Sequence, residues 1–445
     1  MPTSSLAEPS RSAAPGLLAV RRWLMPLVGH ALLVAVLYAS LYAFGVLDAI
    51  PNGKRLIVWD AGWFDSVRQT GYVATASGQS NIPFFPLFPY LWRFSGLDSL
   101  GISILNAGMM LVGCAVLGAT FQLSRRQLLL LAAVPSLFIG LVPYAEAMFF
   151  VFGAVFLRGL HRRHLLVTVL GLIGCCLTRS AATLFVPAFV LAEVLACTSR
   201  ADVLRTLGRI VAGLLAIALA LGAVMYLHYL ATGNWFALFD SYKSWGHELR
   251  WALPARMHSS AGIPMLGLDL IALLTGIVAT LACTWLSLRW LRGWWQPTAP
   301  VAPSRAVVFA LGYCVGVLAF LLLYQEGDLA NGSRYVLGTP FFGLLLAQLP
   351  RWQYLAQATR WAVVGGVGLL GVALAYWCGW PMRFPGFFPA EANFFFAVWL
   401  AYLALHLAAF SRGRYSREIS TGLYVTNVLY QVILLNLFLS EIWMG

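Results

Sequence analysis

Long apolar runs recur along the whole sequence and limit what it can fold into. A membrane-spanning helix needs about 20 consecutive, mostly apolar residues. Only 10% of the 445 residues are charged, against about 25% in soluble proteins. These features exclude a soluble globular protein and predict an all-α polytopic membrane protein of about 11–13 transmembrane helices. The candidate spans are 24–47, 100–121, 127–142, 147–157, 165–178, 181–197, 210–231, 263–288, 306–324, 335–350, 361–380, 392–410 and 422–440.

The positions of the basic residues predict which loops face the cytoplasm. If Arg21-Arg22 lies inside and each run crosses the membrane, most of the 29 Lys and Arg residues fall in inner loops, as the positive-inside rule requires. The net charge of +13 is then explained by topology, and no nucleic-acid partner is expected. The longest connections, 48–99 and 232–262, fall outside, and we expect both to contain interfacial helices.

The same pattern divides the chain into a cytoplasmic tail at 1–23, a transmembrane module at 24–350 and C-terminal transmembrane helices at 351–445. The seven cysteines lie in apolar runs without metal-ligand spacing, so we read them as packing residues. The preference for Arg over Lys is typical of a GC-rich bacterial gene. We therefore expect a multi-pass protein of the bacterial inner membrane, with its site on the periplasmic face.

The first outer loop contains a carboxylate, Asp60, in an aromatic setting. We predict a helix at 59–70 that ends at Gly71. On a helical wheel, an apolar stripe is centred close to Asp60, whereas Asp65 faces water and can pair with Arg68. A carboxylate on an apolar face is a candidate general base; the alternative is a helix-start acid favoured by the helix dipole. The stripe consists of Trp59, Trp63, Phe64 and Val67.

Pro83, Pro86 and Pro89 follow in the same loop and predict an extended or kinked aromatic segment. Such a segment serves equally well as a membrane-interface anchor or as a sugar-stacking surface, and the sequence does not separate these.

Further charged residues stand at outer helix junctions. Arg334, Arg179 and Lys243 are candidates for binding a lipid phosphate, although each Arg could instead extend to the interface and the segment around Lys243 could be an interfacial helix. Asp65 and Glu146 are possible second carboxylates. Asp60, Asp65 and Glu146 could in principle share a divalent ion such as Mg or Mn, but we expect no metal cofactor. The aromatic residues expected to contact sugar or lipid are Trp59, Trp63, Tyr72, Tyr144, Trp245 and Tyr335.

In this order, the motifs resemble those of the PIG-V type of GPI mannosyltransferase II and its bacterial relatives. They are Trp59-Asp60, Gly71-Tyr72, Phe84-Phe85-Pro86-Leu87-Phe88-Pro89, Tyr144-Ala145-Glu146, Arg179-Ser180 and Arg334-Tyr335. The resemblance covers about 24–345 and implies a GT-C-like fold, a polyprenyl-phosphate sugar donor and a catalytic base at Asp60.

These observations predict an inverting transfer of a hexose, expected to be mannose, from a polyprenyl phosphate to a lipid-linked or glycan acceptor. The rival hypothesis is a flippase or transporter of lipid-linked sugars. A transporter would need polar residues along a path through the bilayer, whereas the conspicuous charges of this sequence gather near one face. The enzyme is therefore the favoured interpretation.

Overall fold

The computed structural model describes residues 17–73, 78–180, 182–252, 259–295, 303–325, 327–349, 365, 366, 369, 389–410 and 413–444. Within them the chain is helical, and no strand is formed, which confirms the all-α class. The predicted span at 361–380 falls largely outside the described residues. The helices are α1 Leu17–Ala43, α2 Asp60–Thr70, α3 Leu87–Ser95, α4 Ser99–Phe121, α5 Arg125–Ala132, α6 Glu146–Arg162, α7 Leu165–Thr178, α8 Ala182–Leu195, α9 Val203–Thr232, α10 Ala237–Ser244, α11 Ile263–Trp295, α12 Arg305–Leu323, α13 Gly332–Tyr335, α14 Pro340–Gln348, α15 Pro389–Ala409 and α16 Ser416–Leu439, with short 3-10 helices at Pro135–Leu141 and Arg200–Asp202.

Six helices in the described part of the chain are long and apolar enough to cross a membrane, so the chain is an integral membrane protein by length and composition. They lie at Arg21–Ala43, Ser99–Phe121, Arg200–Thr232, Pro264–Gly293, Arg305–Leu323 and Ser416–Leu439. The 3-10 helix Pro135–Leu141 and α6, bent by 110°, would make a seventh span if they form one broken crossing. The larger number of about 11–13 crossings stays a prediction.

Local sequence explains where several helices begin. Asp98 caps α4, because its side chain accepts a hydrogen bond from the Gly101 amide at 2.7 Å. Ser124 and Gln127 form a capping box at α5, in which each side chain bonds the other residue's backbone amide. In α3 the structure corrects our expectation of an extended segment, since Pro86 is the N-cap and Pro89 lies in the first turn. First-turn amides have no partner within the helix, so proline is tolerated there.

Close helix packing around α6 forms the centre of the bundle. Gly159 on α6 lies against the backbone of Thr168, and Gly171 on α7 lies against the backbone of Phe156. A side chain at either glycine would collide with main-chain atoms, so small residues allow these two helices to approach closely. Beyond them, interlocking aromatic rings fill the core: Phe149, Phe156, Phe185, Phe309, Tyr313 and Phe341.

The last helix, α16, packs into the same apolar core as the preceding helices. Gln431 donates to the carbonyls of Ala132 and Val134 at 2.8 and 2.9 Å. These carbonyls lie at the end of α5 and just after it, where the chain breaks before the 3-10 helix, and the amide of Gln431 satisfies them. Residues of the predicted C-terminal segment therefore help to hold the first half of the bundle.

Candidate functional site

Four charged side chains from distant parts of the chain meet at one end of the bundle. Arg334 donates from Nε and Nη2 to Glu146 Oε1 at 2.8 and 2.5 Å, and from Nη2 to Asp60 Oδ2 at 2.8 Å. Arg179 Nη1 lies 2.5 Å from the same Glu146 oxygen. We call Asp60, Glu146, Arg179 and Arg334 the outer-end cluster, after the outer face that the sequence predicts for these residues; two guanidinium groups balance its two carboxylates.

Each member of the outer-end cluster stands at a helix terminus. Asp60 and Glu146 are the first residues of α2 and α6, where the helix dipole favours a negative charge. Arg179 ends α7 in an extended conformation. Arg334 lies in the short helix α13, which follows Asn331 in the left-handed region at φ 69°. Chain breaks therefore bring these charges together without placing them inside a long transmembrane helix.

Exposure differs sharply among the four side chains. Arg334 and Glu146 are 6% and 2% exposed, whereas Arg179 and Asp60 are 14% and 27% exposed. Burial works against the charge of Arg334, but Glu146 and Asp60 outweigh it and hold the pKa of Arg334 well above its ordinary value. Asp60 is therefore the carboxylate of the cluster that a ligand can reach most readily.

Aromatic rings and a buried amide support the cluster. The guanidinium of Arg334 lies 4.8 Å from the centre of the Tyr144 ring, and that of Arg179 lies 5.1 Å from the Tyr335 ring. The Asp60 amide donates to the Tyr144 hydroxyl at 3.3 Å. Asn106 in turn donates to the Tyr144 carbonyl at 2.9 Å. Tyr144 and Tyr335, predicted to contact ligand, therefore stack against the two arginines.

The residue before Asp60 has an unusual backbone. Trp59 has φ 54° and ψ −128°, a combination that costs energy for a residue with a side chain. Its side chain is 41% exposed. Strain of this kind persists only where surrounding contacts enforce it, and it is concentrated at functional sites. The backbone geometry therefore independently draws attention to Asp60.

An aromatic group lies on the adjoining part of α2. The Trp63 ring centre is 6.0 Å from that of Phe84 and 5.5 Å from that of Trp245. Trp245 belongs to the second long connection and also donates to the Ser80 carbonyl at 3.3 Å. The two long connections are thus in contact beside the outer-end cluster. Planar rings in such a group offer a stacking surface for a sugar or an isoprenoid chain.

The helical wheel predicted for α2 needs a correction. The helix ends at Gly71 as predicted, and Arg68 Nε donates to Asp65 Oδ1 at 2.6 Å. Asp65 does not face water, however: it is buried, together with Ala61, Phe64 and Val67. These four residues centre the buried face at about 65° from Asp60, so Asp60 lies at the edge of that face. Trp59, outside the helix, does not extend the stripe.

The structure separates Asp65 from the other two carboxylates proposed for a shared metal ion. Asp65 accepts hydrogen bonds from Arg68 and Gln69, whereas Arg334 bridges Asp60 and Glu146. Among the described residues, no three His, Cys, Asp or Glu side chains are grouped so that they could hold a metal ion.

Two other predicted residues lie away from the four charges. Tyr72 donates its hydroxyl to the Phe84 carbonyl at 2.7 Å and packs against His228. Lys243 is exposed on α10. Their predicted roles in binding sugar and phosphate remain predictions.

Sequence reasoning missed two residues that position Arg334. Asn331 accepts a hydrogen bond from Arg334 Nη1 at 2.8 Å, and its left-handed conformation suits an Asn. Asp269 is fully buried in α11 and accepts from the Ser333 amide at 2.8 Å and the Ser259 hydroxyl at 3.1 Å. A carboxylate in an apolar run was the available signal for Asp269.

Comparison with known proteins gives no further guide to the site. No model of a known protein family matches the chain, and none of the curated proteins compared with it is significantly similar.

Proposed function

We propose that the chain is a membrane glycosyltransferase that transfers a hexose, expected to be mannose, from a polyprenyl phosphate to an acceptor hydroxyl. In this proposal the fold is GT-C-like, and the reaction occurs at the periplasmic face of a bacterial inner membrane. The observation that carries the proposal is the outer-end cluster: a partly exposed carboxylate, held by a buried arginine, at one end of an apolar helical bundle. The motif resemblance of the sequence points to the same carboxylate.

The chemistry assigns a separate task to each charge. Asp60 accepts the proton of the acceptor hydroxyl, whose oxygen attacks the anomeric carbon. The bond from that carbon to the phosphate oxygen breaks, and the phosphate leaves with the electron pair. The transition state resembles an oxocarbenium ion, as in glycoside hydrolysis. Arg179, the more exposed arginine, stabilises the departing phosphate.

Arg334 acts differently from the phosphate-binding role predicted by the sequence. Its Nε, Nη1 and Nη2 atoms donate to Glu146, Asn331 and Asp60, and the side chain is 6% exposed. We therefore assign Arg334 the task of orienting Asp60, with Glu146 as the shared partner of both arginines. A carboxylate held in one orientation meets the hydroxyl at a lower entropic cost.

Transport of a lipid-linked sugar remains the second candidate. In the described part of the chain, the buried charged side chains are Asp65, Glu146, Glu193, Asp269, Arg305 and Arg334. Glu146, Glu193, Arg305 and Arg334 lie near helix ends. Asp65 lies on the short helix α2, and Asp269 lies less than two turns from the start of α11, whereas a transport path requires polar groups near the middle of the bilayer. This distribution favours the enzyme.

The test uses the full chain in nanodiscs with polyprenyl-phosphate mannose, glucose or galactose and a panel of lipid and glycan acceptors. Mass spectrometry follows formation of the glycosylated acceptor. Asp60→Asn should retain the fold but lose transfer by about a hundredfold or more, because a general base contributes roughly that factor.

Asp240→Asn is the matched control, because Asp240 is an exposed carboxylate on α10, and it should transfer at the wild-type rate. A folded Asp60→Asn protein with full activity would remove the catalytic assignment. Movement of intact donor across vesicles, without any transfer, would favour the transporter instead.

A further inference from the structure

A second group of charged residues lies at the opposite end of the bundle. Helix α6 begins with Glu146 and is followed by Arg163, and α8 follows Arg179 and has Glu193 near its end. Both helices therefore run from the outer-end cluster to this second group. At about 1.5 Å per residue, α6 separates the two ends by roughly 25 Å, which is close to the thickness of a bilayer's hydrocarbon core.

In this second group, two arginines share one carboxylate oxygen. Arg305 Nε lies 3.0 Å and Arg209 Nη1 lies 3.7 Å from Glu193 Oε2. The side chains of Arg305, Arg209 and Glu193 are 8%, 22% and 3% exposed. A single carboxylate thus faces two guanidinium groups that are largely removed from water. Buried charge is costly unless it is balanced, so this arrangement favours a second anion.

A cavity opens beside these side chains. It is small and open to the surface, and Arg163 lines it together with Arg209, Arg305 and Glu193. Three positive charges and one negative charge give the lining a formal charge of +2. The neutral outer-end cluster has no such excess.

Apolar residues continue from the cavity towards the surface. Leu160, Leu165 and Phe189 line it, and Leu165 is itself 46% exposed. Beside it, Leu166 on α7 and Leu204 on α9 are 61% and 81% exposed. An anion bound here would have an exposed apolar surface next to it. A phospholipid has a phosphate for the arginines and acyl chains for the apolar surface, whereas a free anion would use only the arginines.

We propose that this cavity binds the headgroup of an anionic phospholipid in the leaflet opposite the outer-end cluster. Arg209 and Arg305 contact the phosphate, and the acyl chains lie along Leu165, Leu166 and Leu204. Because the lining carries an excess charge of two, a lipid with two phosphates such as cardiolipin should bind more tightly than phosphatidylglycerol. Basic cavities between transmembrane helices are a recurring form of lipid site. The proposal does not depend on the transfer reaction.

The experiment measures lipid binding by native mass spectrometry of the full chain released from nanodiscs. The nanodiscs contain phosphatidylcholine with cardiolipin, phosphatidylglycerol or neither, and a thermal melt is recorded for each. The wild type should retain cardiolipin in preference to phosphatidylcholine and melt at a higher temperature when cardiolipin is present. Arg209→Gln should weaken cardiolipin retention by about tenfold, the loss expected for a charge-assisted contact to phosphate.

Arg205→Gln is the matched control, since Arg205 lies one turn earlier on α9 and is 73% exposed. It should change retention by less than about twofold. Glu193→Gln should lower the melting temperature more in phosphatidylcholine than in cardiolipin, because the lipid then supplies the missing negative charge. A purely structural ion pair would lower it equally in both.

Two results would overturn the proposal. One is equal retention of cardiolipin by the wild type and a folded Arg209→Gln protein. The other is stabilisation by inorganic phosphate alone that matches the stabilisation by cardiolipin, which would indicate a site for a free anion.

Discussion

Arg334 and Arg179 both contact Glu146, but they differ in what else their guanidinium groups reach. Arg334 also donates to Asp60 and Asn331, whereas Arg179 lies over Tyr335 and is the more exposed of the two. A buried arginine that bonds several protein groups maintains structure, and a more exposed one can bind a ligand. Substitution of Arg334 should therefore mainly lower stability, whereas substitution of Arg179 should mainly lower activity.

Arg334→Ala should destabilise the protein by about 3–5 kcal/mol, because it leaves a buried carboxylate with one cation fewer. The measurement is a thermal melt in detergent, with Arg205→Ala as a control for loss of an exposed arginine. In this control, Arg205 lies 3.8 Å from Asp202, and such an exposed ion pair should contribute less than about 1 kcal/mol to the free energy of unfolding. A wild-type melt for Arg334→Ala, combined with a loss of donor use, would instead support direct phosphate binding.

Arg179→Gln should affect the reaction more than the fold. Glu146 keeps Arg334 as a partner in this variant, so we expect a modest decrease in melting temperature. If Arg179 binds the departing phosphate, kcat/KM for the polyprenyl-phosphate donor should fall by about tenfold to a hundredfold. Lys243→Gln provides the comparison at an exposed position. A larger loss of donor use in Lys243→Gln than in Arg179→Gln would instead place the phosphate-binding site in the second long connection.

The sequence supplied the identity of these residues but not their pairing. Each charge was visible as an isolated polar residue at the end of an apolar run. The pairing of Arg334 with Asp60 spans 274 residues, and local periodicity carries no information about such a contact. Asp65 was misjudged because the wheel placed the buried face from a stripe that included Trp59, whose positive φ takes it out of the helix.

At the level of elements, helix boundaries followed closely from short-range chemistry. The apolar run 165–178 coincides with α7, and the predicted end of α2 at Gly71 is confirmed. These boundaries depend on neighbouring residues, so they can be read locally. The start of α3 was harder to predict from the sequence, because proline disrupts a helix interior but is compatible with the first turn.

Gly71→Ala and Gly62→Ala form a matched pair of substitutions on α2. Gly71 has φ +78° and no atom within 4 Å of an added Cβ, whereas Gly62 has equal space and an ordinary helical backbone. Gly71→Ala should therefore cost about 1–2 kcal/mol from backbone strain alone. Gly62→Ala should be neutral or stabilising by up to about 1 kcal/mol. Thermal melts measure both, and equal melting temperatures for the two variants would contradict the assigned end of α2.

At the scale of the whole molecule, α6 and α8 join the two charged ends, so the predicted topology places these ends on opposite sides of the membrane. Ser244 is the last residue of α10, within the second long connection, and Ser199 lies between α8 and α9; both are exposed. In a background without reactive cysteines, Ser244→Cys should react with a membrane-impermeant maleimide in intact cells. Ser199→Cys should react only after permeabilisation. Labelling of both from one side would overturn the predicted topology and the placement of the site.

Membrane character and helical class could be predicted because they depend on composition and run length. The association of helices could not, since it depends on contacts such as those of Gln431 with carbonyls about 300 residues away. The second charged end illustrates the same limit. The alternation of the predicted spans places Arg163, Arg209 and Arg305 in inner loops, yet their convergence on the cavity beside Glu193 requires the folded bundle.

The length of α6 also bears on which membrane thickness suits the protein. If α6 crosses the membrane, the charged groups at its two ends lie near the two headgroup layers, and its length of roughly 25 Å is about 5 Å less than an average hydrocarbon core of about 30 Å. Lipids with long acyl chains would then impose a hydrophobic mismatch, which is relieved by local thinning of the bilayer. Acyl-chain length thereby becomes a variable that acts on the geometry around Asp60 from outside the protein.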